Sequence, residues 1–231
     1  MARPAAPVAG EPSRPAAPGR GRPGAAVLVR PLAWALALSP LAKTAVDALT
    51  GGLGANPVEA VLNRLGFWAI TLLALSLAPT PAKDILGLAW PARLRRLLGV
   101  FAFAYAALHF AFYVGVDRFF DWRTIAADLT KRPFIMVGFA ALLALLPLAV
   151  TSTDGWVRRL GYRRWKRLHR LAYLAALLAV VHFLWRVKAD LRKPLLFAAV
   201  FAVLALARVP GWLRAARAPA RPGRSAREPG T

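Results

Sequence analysis

Only three side chains in this 231-residue chain are imidazoles: His109, His169 and His182. His169 and His182 bound the run HRLAYLAALLAVVH, and His109 stands near the end of a second apolar run, RRLLGVFAFAYAALHF. An ionisable side chain within a segment of that kind is costly and marks a candidate functional site. The bland alternative is a neutral histidine hydrogen-bonded to a neighbouring helix. The chain contains no cysteine, which excludes disulfides, thiolate metal sites, iron–sulfur clusters and haem attachment through a Cys-x-x-Cys-His motif. Any haem must therefore be held non-covalently.

The depths of the three imidazoles separate them. His109 follows Arg96 by 13 residues, and His182 follows Arg170 by 12, each basic residue closing a charged cluster (ARLRR, RRWKRLHR). At about 1.5 Å of rise per residue, both rings lie roughly 18–20 Å from those charges on two helices that run the same way. Matched depth on parallel helices is what two axial ligands of one haem require, because the iron takes a nitrogen from each side of the macrocycle. His169 precedes His182 by 13 residues, which is about 20 Å along the axis. It is a candidate ligand for a second haem near the cytoplasmic surface, or else a histidine that caps or anchors its helix. Thirteen residues leave the two side chains about 140° apart, so a second haem stacked over the first needs a helix irregularity. The matching depth on the other helix holds Arg95 or Arg96. Arginine is a poor iron ligand but a good partner for a haem propionate.

The elements that must carry these residues are membrane helices. With 58% hydrophobic residues and several long apolar runs, the chain reads as an all-α integral membrane protein. At about 20 residues per crossing, the spacing predicts a six-helix transmembrane bundle over roughly 30–49, 65–79, 97–116, 133–151, 169–187 and 194–209. The net charge of +22 would ordinarily point to nucleic acid, but here it has a position. With the N- and C-termini cytoplasmic, segments 1–31, 80–96, 152–170 and 208–231 hold 22 of the 32 Lys and Arg, and six of the ten acidic residues lie on the other side. That asymmetry is the one that orients helices during insertion, so the charge reads as topology and no nucleic-acid partner is expected. Residues 1–29 and 214–231 are rich in Pro, Ala, Gly and Arg and read as disordered basic tails around a transmembrane haem domain at 30–213. In the first outer loop Asn56, Pro57 and Glu59 form a helix-capping pattern, read as a short outer helix leading into the second crossing or else as a cofactor or quinone contact. The second outer loop mixes Phe119, Phe120 and Trp122 with Asp117, Asp121 and Asp128; it is either an interfacial anchor or a docking surface. The sequence shows neither a glycine-rich dinucleotide fingerprint nor a P-loop.

The stretches TGGLGANPVEAVLNRLG, RRLLGVFAFAYAALHF, VDRFFDW, LTKRPFIMVGFAALLALLPLAVTSTDG and RRLGYRRWKRLHRLAYLAALLAVVHFLW resemble, in order and spacing, the motifs of the MsrQ (YedZ) family. These are haem-binding membrane subunits of a periplasmic methionine sulfoxide reductase system. The resemblance covers roughly residues 30–213, and the family's histidines fall on His109, His169 and His182. It implies a multi-pass protein of the bacterial inner membrane with a ferric reductase-like transmembrane fold, b-type haem and FMN. It further implies a non-catalytic electron-transfer subunit that draws on the quinone pool or a cytosolic flavin reductase. The acceptor so implied is an MsrP-like periplasmic molybdopterin catalytic subunit, in a heterodimer. Two rivals stand beside this reading. A stand-alone transmembrane ferric reductase or cytochrome b561-like protein would need its own flavin and nicotinamide domain, and a small non-redox transporter would more often show repeated halves.

Overall fold

The computed structural model describes residues 24–88 and 90–209, and every element among them is helical. The α-helices are α1 (Gly24–Leu49), α2 (Pro57–Leu77), α3 (Pro79–Leu86), α4 (Arg95–Phe112), α5 (Trp122–Lys131), α6 (Pro133–Val150), α7 (Asp154–Leu160), α8 (Tyr162–Leu168), α9 (Leu171–Arg186) and α10 (Arg192–Leu206). Five stretches are long and apolar enough to cross a bilayer: Val29–Leu49, Pro57–Leu86, Arg95–Asp117, Pro133–Val150 and Tyr162–Arg186. The sequence leads one to expect a sixth crossing at 194–209. There α10 has 15 residues, about 22 Å of helix against a hydrocarbon core of about 30 Å, so five spans are what length and composition support. The C-terminal tail expected at 214–231 lies outside the described residues, as does most of the N-terminal one, and α1 begins at Gly24.

Local chemistry explains most of the boundaries. Asn56 caps α2 by accepting from the Glu59 amide at 3.2 Å, while its own amide group donates to the Glu59 carboxylate at 3.1 Å. Glu59 thus reaches back to the cap as the motif predicts, but to the Asn56 side-chain amide and not to its backbone N–H; the cap opens the crossing helix itself, and among the described residues no separate outer helix precedes α2. Arg95–Phe112 runs on into a π-helical turn, Tyr113–Asp117, and the chain then bends through Phe119 and Phe120, which take φ values of 48° and 59°. Left-handed backbone is unfavourable for bulky residues. Here it is held by amide hydrogen bonds from Arg118 to the Tyr113 carbonyl (3.0 Å) and from Phe120 to the Val114 carbonyl (2.8 Å). Asp128 buries its carboxylate beneath this turn, accepting from the Tyr113 hydroxyl at 2.9 Å and pairing with Arg118 at 2.7 Å.

The helices pack as two intimate pairs, α2 with α4 and α6 with α9; α4 also touches α6, while α1 lies on α2 and α10 on α9 and α2. Tyr105 locks α1 to α4. Its buried hydroxyl donates to the Ala37 carbonyl at 2.7 Å and accepts from the Leu41 amide at 3.1 Å, replacing one rung of the α1 ladder beside Pro40. A side chain inserted into the ladder is one of the few causes of a helix bend. Beyond α10, the buried Arg208 donates to the Leu77 carbonyl of α2 and lies over the Tyr173 ring of α9 at 5.2 Å.

Candidate functional site

His109 lies on α4 and His182 on α9, one helix from each pair, and their rings approach each other with centroids 6.2 Å apart and planes at 85°. Each imidazole is oriented from behind in the same way. His109 Nδ1 lies 2.9 Å from the Leu62 carbonyl on α2, and His182 Nδ1 lies 2.7 Å from the Phe134 carbonyl on α6. A carbonyl oxygen can only accept, so Nδ1 carries the proton on both rings and each Nε2 keeps its lone pair.

The repeat extends one turn further. Gly66 follows Leu62 by four residues, and Gly138 follows Phe134 by four, which places each glycine under the ring whose Nδ1 its helix anchors. A β-carbon at Gly138 would stand 2.5 Å from His182 Nδ1, and one at Gly66 would stand 3.4 Å from the His109 ring. Small residues at helix contacts let backbones approach closely; here they let an imidazole lie directly on the neighbouring helix.

The two rings share a cavity of about 820 Å³ bounded by α2, α4, α6 and α9, within the range of roughly 300–1,000 Å³ typical of small-molecule and cofactor sites. Its walls are mostly apolar, with Leu73, Phe110, Phe139 and Leu145 among them, and its rim carries Arg64, Arg118, Arg132 and Arg186. These residues fit a metal macrocycle. Two metal–imidazole bonds of about 2 Å in line put the nitrogens about 4 Å apart, and the remainder of the 6.2 Å centroid separation is the two half-rings. Among the described residues no cluster of three or more His, Cys, Asp or Glu could hold a bare metal ion, so the pair alone offers no complete ligand set.

His169 lies apart from this cavity, in the two-residue break between α8 and α9. Its ring stacks on Trp165 with centroids 3.9 Å apart. Its Nδ1 lies 3.1 Å from the Trp165 carbonyl, and its Nε2 is buried without a hydrogen-bond partner among the described residues. Arg95 and Arg96 lie within Coulombic range of it. Arg96 is already engaged, at 2.7 Å, with Asp154, whose carboxyl this hydrogen bond holds below the usual carboxylate range. Neither arginine lines the large cavity. The structure brings His109 and His182 into one cavity and leaves His169, Arg95 and Arg96 outside it; sequence reasoning misses Leu62, Phe134, Gly66, Gly138 and Arg186. Backbone carbonyls leave no sequence signal, and glycine is frequent in membrane helices; Arg186, at the i+4 position from His182, was open to detection.

The helices and cavity belong to a ferric reductase-like transmembrane component: the model of the family described as "Ferric reductase like transmembrane component" matches residues 65–180, which include His109 and most of the helices that bound the cavity. Curated relatives narrow the class. The protein-methionine-sulfoxide reductase heme-binding subunit MsrQ of Rhodospirillum rubrum is 52% identical over 172 residues, covering 74% of this chain and 83% of the relative. The subunits of that name from Caulobacter vibrioides (50% over 182 residues; 79% and 87% covered) and Deinococcus radiodurans (52% over 183; 79% and 86%) are similarly close. The chain belongs to the MsrQ family.

Proposed function

We propose that the chain holds a b-type haem between His109 and His182 and carries electrons across the bacterial inner membrane to a periplasmic methionine sulfoxide reductase catalytic subunit. The observation that carries this reading is the pair of imidazoles facing each other at 6.2 Å across the cavity, both with Nδ1 engaged on backbone carbonyls. The name of the relatives, heme-binding subunits of a methionine sulfoxide reductase, supports both the cofactor and the class of partner. Haem iron, when bound, supplies one-electron exchange, with a potential set by its axial ligands, nearby hydrogen bonds and burial. The chain's own contribution is orientation and insulation. The Leu62 and Phe134 carbonyls fix each ring and raise the basicity of its Nε2, while the apolar walls keep water from the site. A reduced-minus-oxidised spectrum of the purified chain tests this. Low-spin b-type bands that re-oxidise when a molybdopterin-containing, MsrP-like catalytic subunit and methionine sulfoxide are added are the expected result. A chain purified without such bands overturns it.

In this reading α10 completes six crossings and both termini are cytoplasmic, which puts the Phe119–Trp122 turn outside, where the catalytic subunit would dock. The split of Lys and Arg between the two sides supports this orientation. The natural chain has no cysteine, so single cysteines report topology cleanly. On spheroplasts, an impermeant maleimide is expected to label Thr124→Cys and to leave Asp84→Cys unlabelled until the membrane is opened; the reverse pattern would invert the topology.

Electrons from the quinone pool or a cytosolic flavin reductase then enter at the end marked by His169. A basic surface there, formed by Arg163, Lys166, Arg167 and Arg170 beside Tyr162, offers charge to a flavin phosphate, the group that FMN would bring. His169, with its bare Nε2, is the candidate ligand for an inner haem, with Arg95 near enough to meet a propionate. His169→Ala is therefore expected to retain the low-spin haem of the His109–His182 pair and to slow reduction from the inner side more than re-oxidation from the outer. Stopped-flow reduction by a quinol, and separately by reduced flavin, checks this. Wild-type rates with both donors would leave His169 a structural residue stacked on Trp165.

A further inference from the structure

Arg186 follows His182 by one helical turn, so it shares that ring's face of α9 and stands about 6 Å further toward the outer end. It lines the same cavity and lies within Coulombic range of both imidazoles. Of the other cations lining the cavity, Arg64 pairs with Asp47, Arg118 with Asp128 at 2.7 Å and Arg132 with the same Asp128 at 3.3 Å, while Lys193 stands on α10. Arg186 has one ion-pair partner among the described residues, Glu59 on α2, at 3.3 Å. Glu59 is itself 56% exposed at its side chain and already held by Asn56 at 3.1 Å. A guanidinium has five N–H donors in a fixed fork suited to a carboxylate, and a single long contact to an exposed glutamate leaves most of that capacity unused.

We propose that Arg186 is the carboxylate-binding residue of the cavity: it receives a propionate of the haem seated between His109 and His182 and thereby raises that centre's reduction potential. This rests on the haem reading above. A macrocycle held edge-on between α4 and α9 must place its two carboxylates where charge and water can meet them, and the apolar walls leave the basic rim as that place. Among the cations lining the cavity, Arg186 is the one that stands on the same helix as a facing imidazole, one turn beyond His182. The contact with Glu59 is then a resting partner, given up for a charge-assisted, two-pronged contact. The reduced centre carries one positive charge fewer than the oxidised one, so neutralising a propionate favours reduction.

The test uses the purified haem-loaded protein and three variants, Arg186→Gln, Arg186→Lys and Glu59→Gln, read by potentiometric titration and by the resonance Raman bands of the propionates. Arg186→Gln is expected to lower the equilibrium constant for reduction about tenfold, which is about 59 mV for a one-electron couple, and to shift the propionate bands. Arg186→Lys keeps the charge without the fork, so it is expected to keep most of the potential but still shift the bands. Glu59→Gln is expected to leave both readouts at wild type, because it removes only the resting partner. Arg186→Gln with wild-type potential and bands, in protein that still shows low-spin haem, would overturn the assignment. So would a Glu59→Gln variant that reproduces the Arg186→Gln shifts, which would make the pair a clip between α2 and α9. A wild-type protein with no low-spin haem would instead sink the reading beneath it, so the two failures are distinct.

Discussion

Replacing either His109 or His182 with alanine is expected to remove the low-spin spectrum of the centre they share, with loss of more than about nine-tenths of the haem held between them. Six-coordinate low-spin iron needs a nitrogen on both faces, and the cavity supplies one from each of two helices. Losing an oriented ligand outright is more severe than losing a residue that merely orients one, for which a 10- to 100-fold fall in metal affinity is usual. Among the residues lining the cavity, no third histidine and no methionine stands ready to replace either ring. The measurement is the ratio of haem absorbance to protein after purification in mild detergent. Adding imidazole separates a missing ligand from a damaged fold: the alanine variant leaves a ring-sized gap beside an intact Leu62 or Phe134 carbonyl, and free imidazole is expected to restore the low-spin bands. Two variants that both keep a wild-type spectrum would show that the pair does not hold iron. His169→Ala serves as the internal control, because its ring lies in the α8–α9 break and not in the cavity.

The sequence makes the depths of the histidines legible and leaves their surroundings dark, for a physical reason. Depth follows from counting residues at a fixed rise from a charged cluster that cannot enter the bilayer, and this places His109 and His182 level before any packing is known. Their 6.2 Å approach depends on which helices pair, and that is decided by small residues and backbone carbonyls that leave little pattern in an apolar run. The count of crossings is less legible. A short, evenly apolar segment such as α10 reads by composition as a membrane span, whereas its length, 15 helical residues from Arg192 to Leu206, depends on where the helix ends. The Asn56–Glu59 cap was readable because capping is a contact between near neighbours. The Tyr105 bridge into α1 was not, because its partners lie 64 and 68 residues away.

Gly138→Ala should be nearly as damaging as losing His182 itself, although it deletes no ligand. The added methyl would stand 2.5 Å from His182 Nδ1 and 2.8 Å from Cε1, well inside the 3.5–4.0 Å or so at which non-bonded heavy atoms rest. The ring cannot slide away along α6, because its Nδ1 is bound at 2.7 Å to the Phe134 carbonyl, one turn back on the same helix. The methyl therefore acts as a wedge between the imidazole and its own anchor. Either that hydrogen bond breaks or α6 and α9 separate, and both outcomes move Nε2. Overpacking of this kind costs about 1–3 kcal/mol, and loss of the orienting hydrogen bond adds the roughly 10- to 100-fold fall in metal affinity usual when a ligand's outer partner is lost. Gly66→Ala provides the calibrated contrast. Its methyl would meet the His109 ring at 3.4 Å, a distance relieved by a shift of a few tenths of an ångström, so that variant is expected to keep most of its haem. Haem occupancy together with the low-spin electron paramagnetic resonance signal reads both effects, since the signal responds to the angle between the imidazole planes, 85° here. Full occupancy with an unchanged signal in Gly138→Ala would mean that α6 yields without moving the ring, and the glycine would lose its role as the seat of His182.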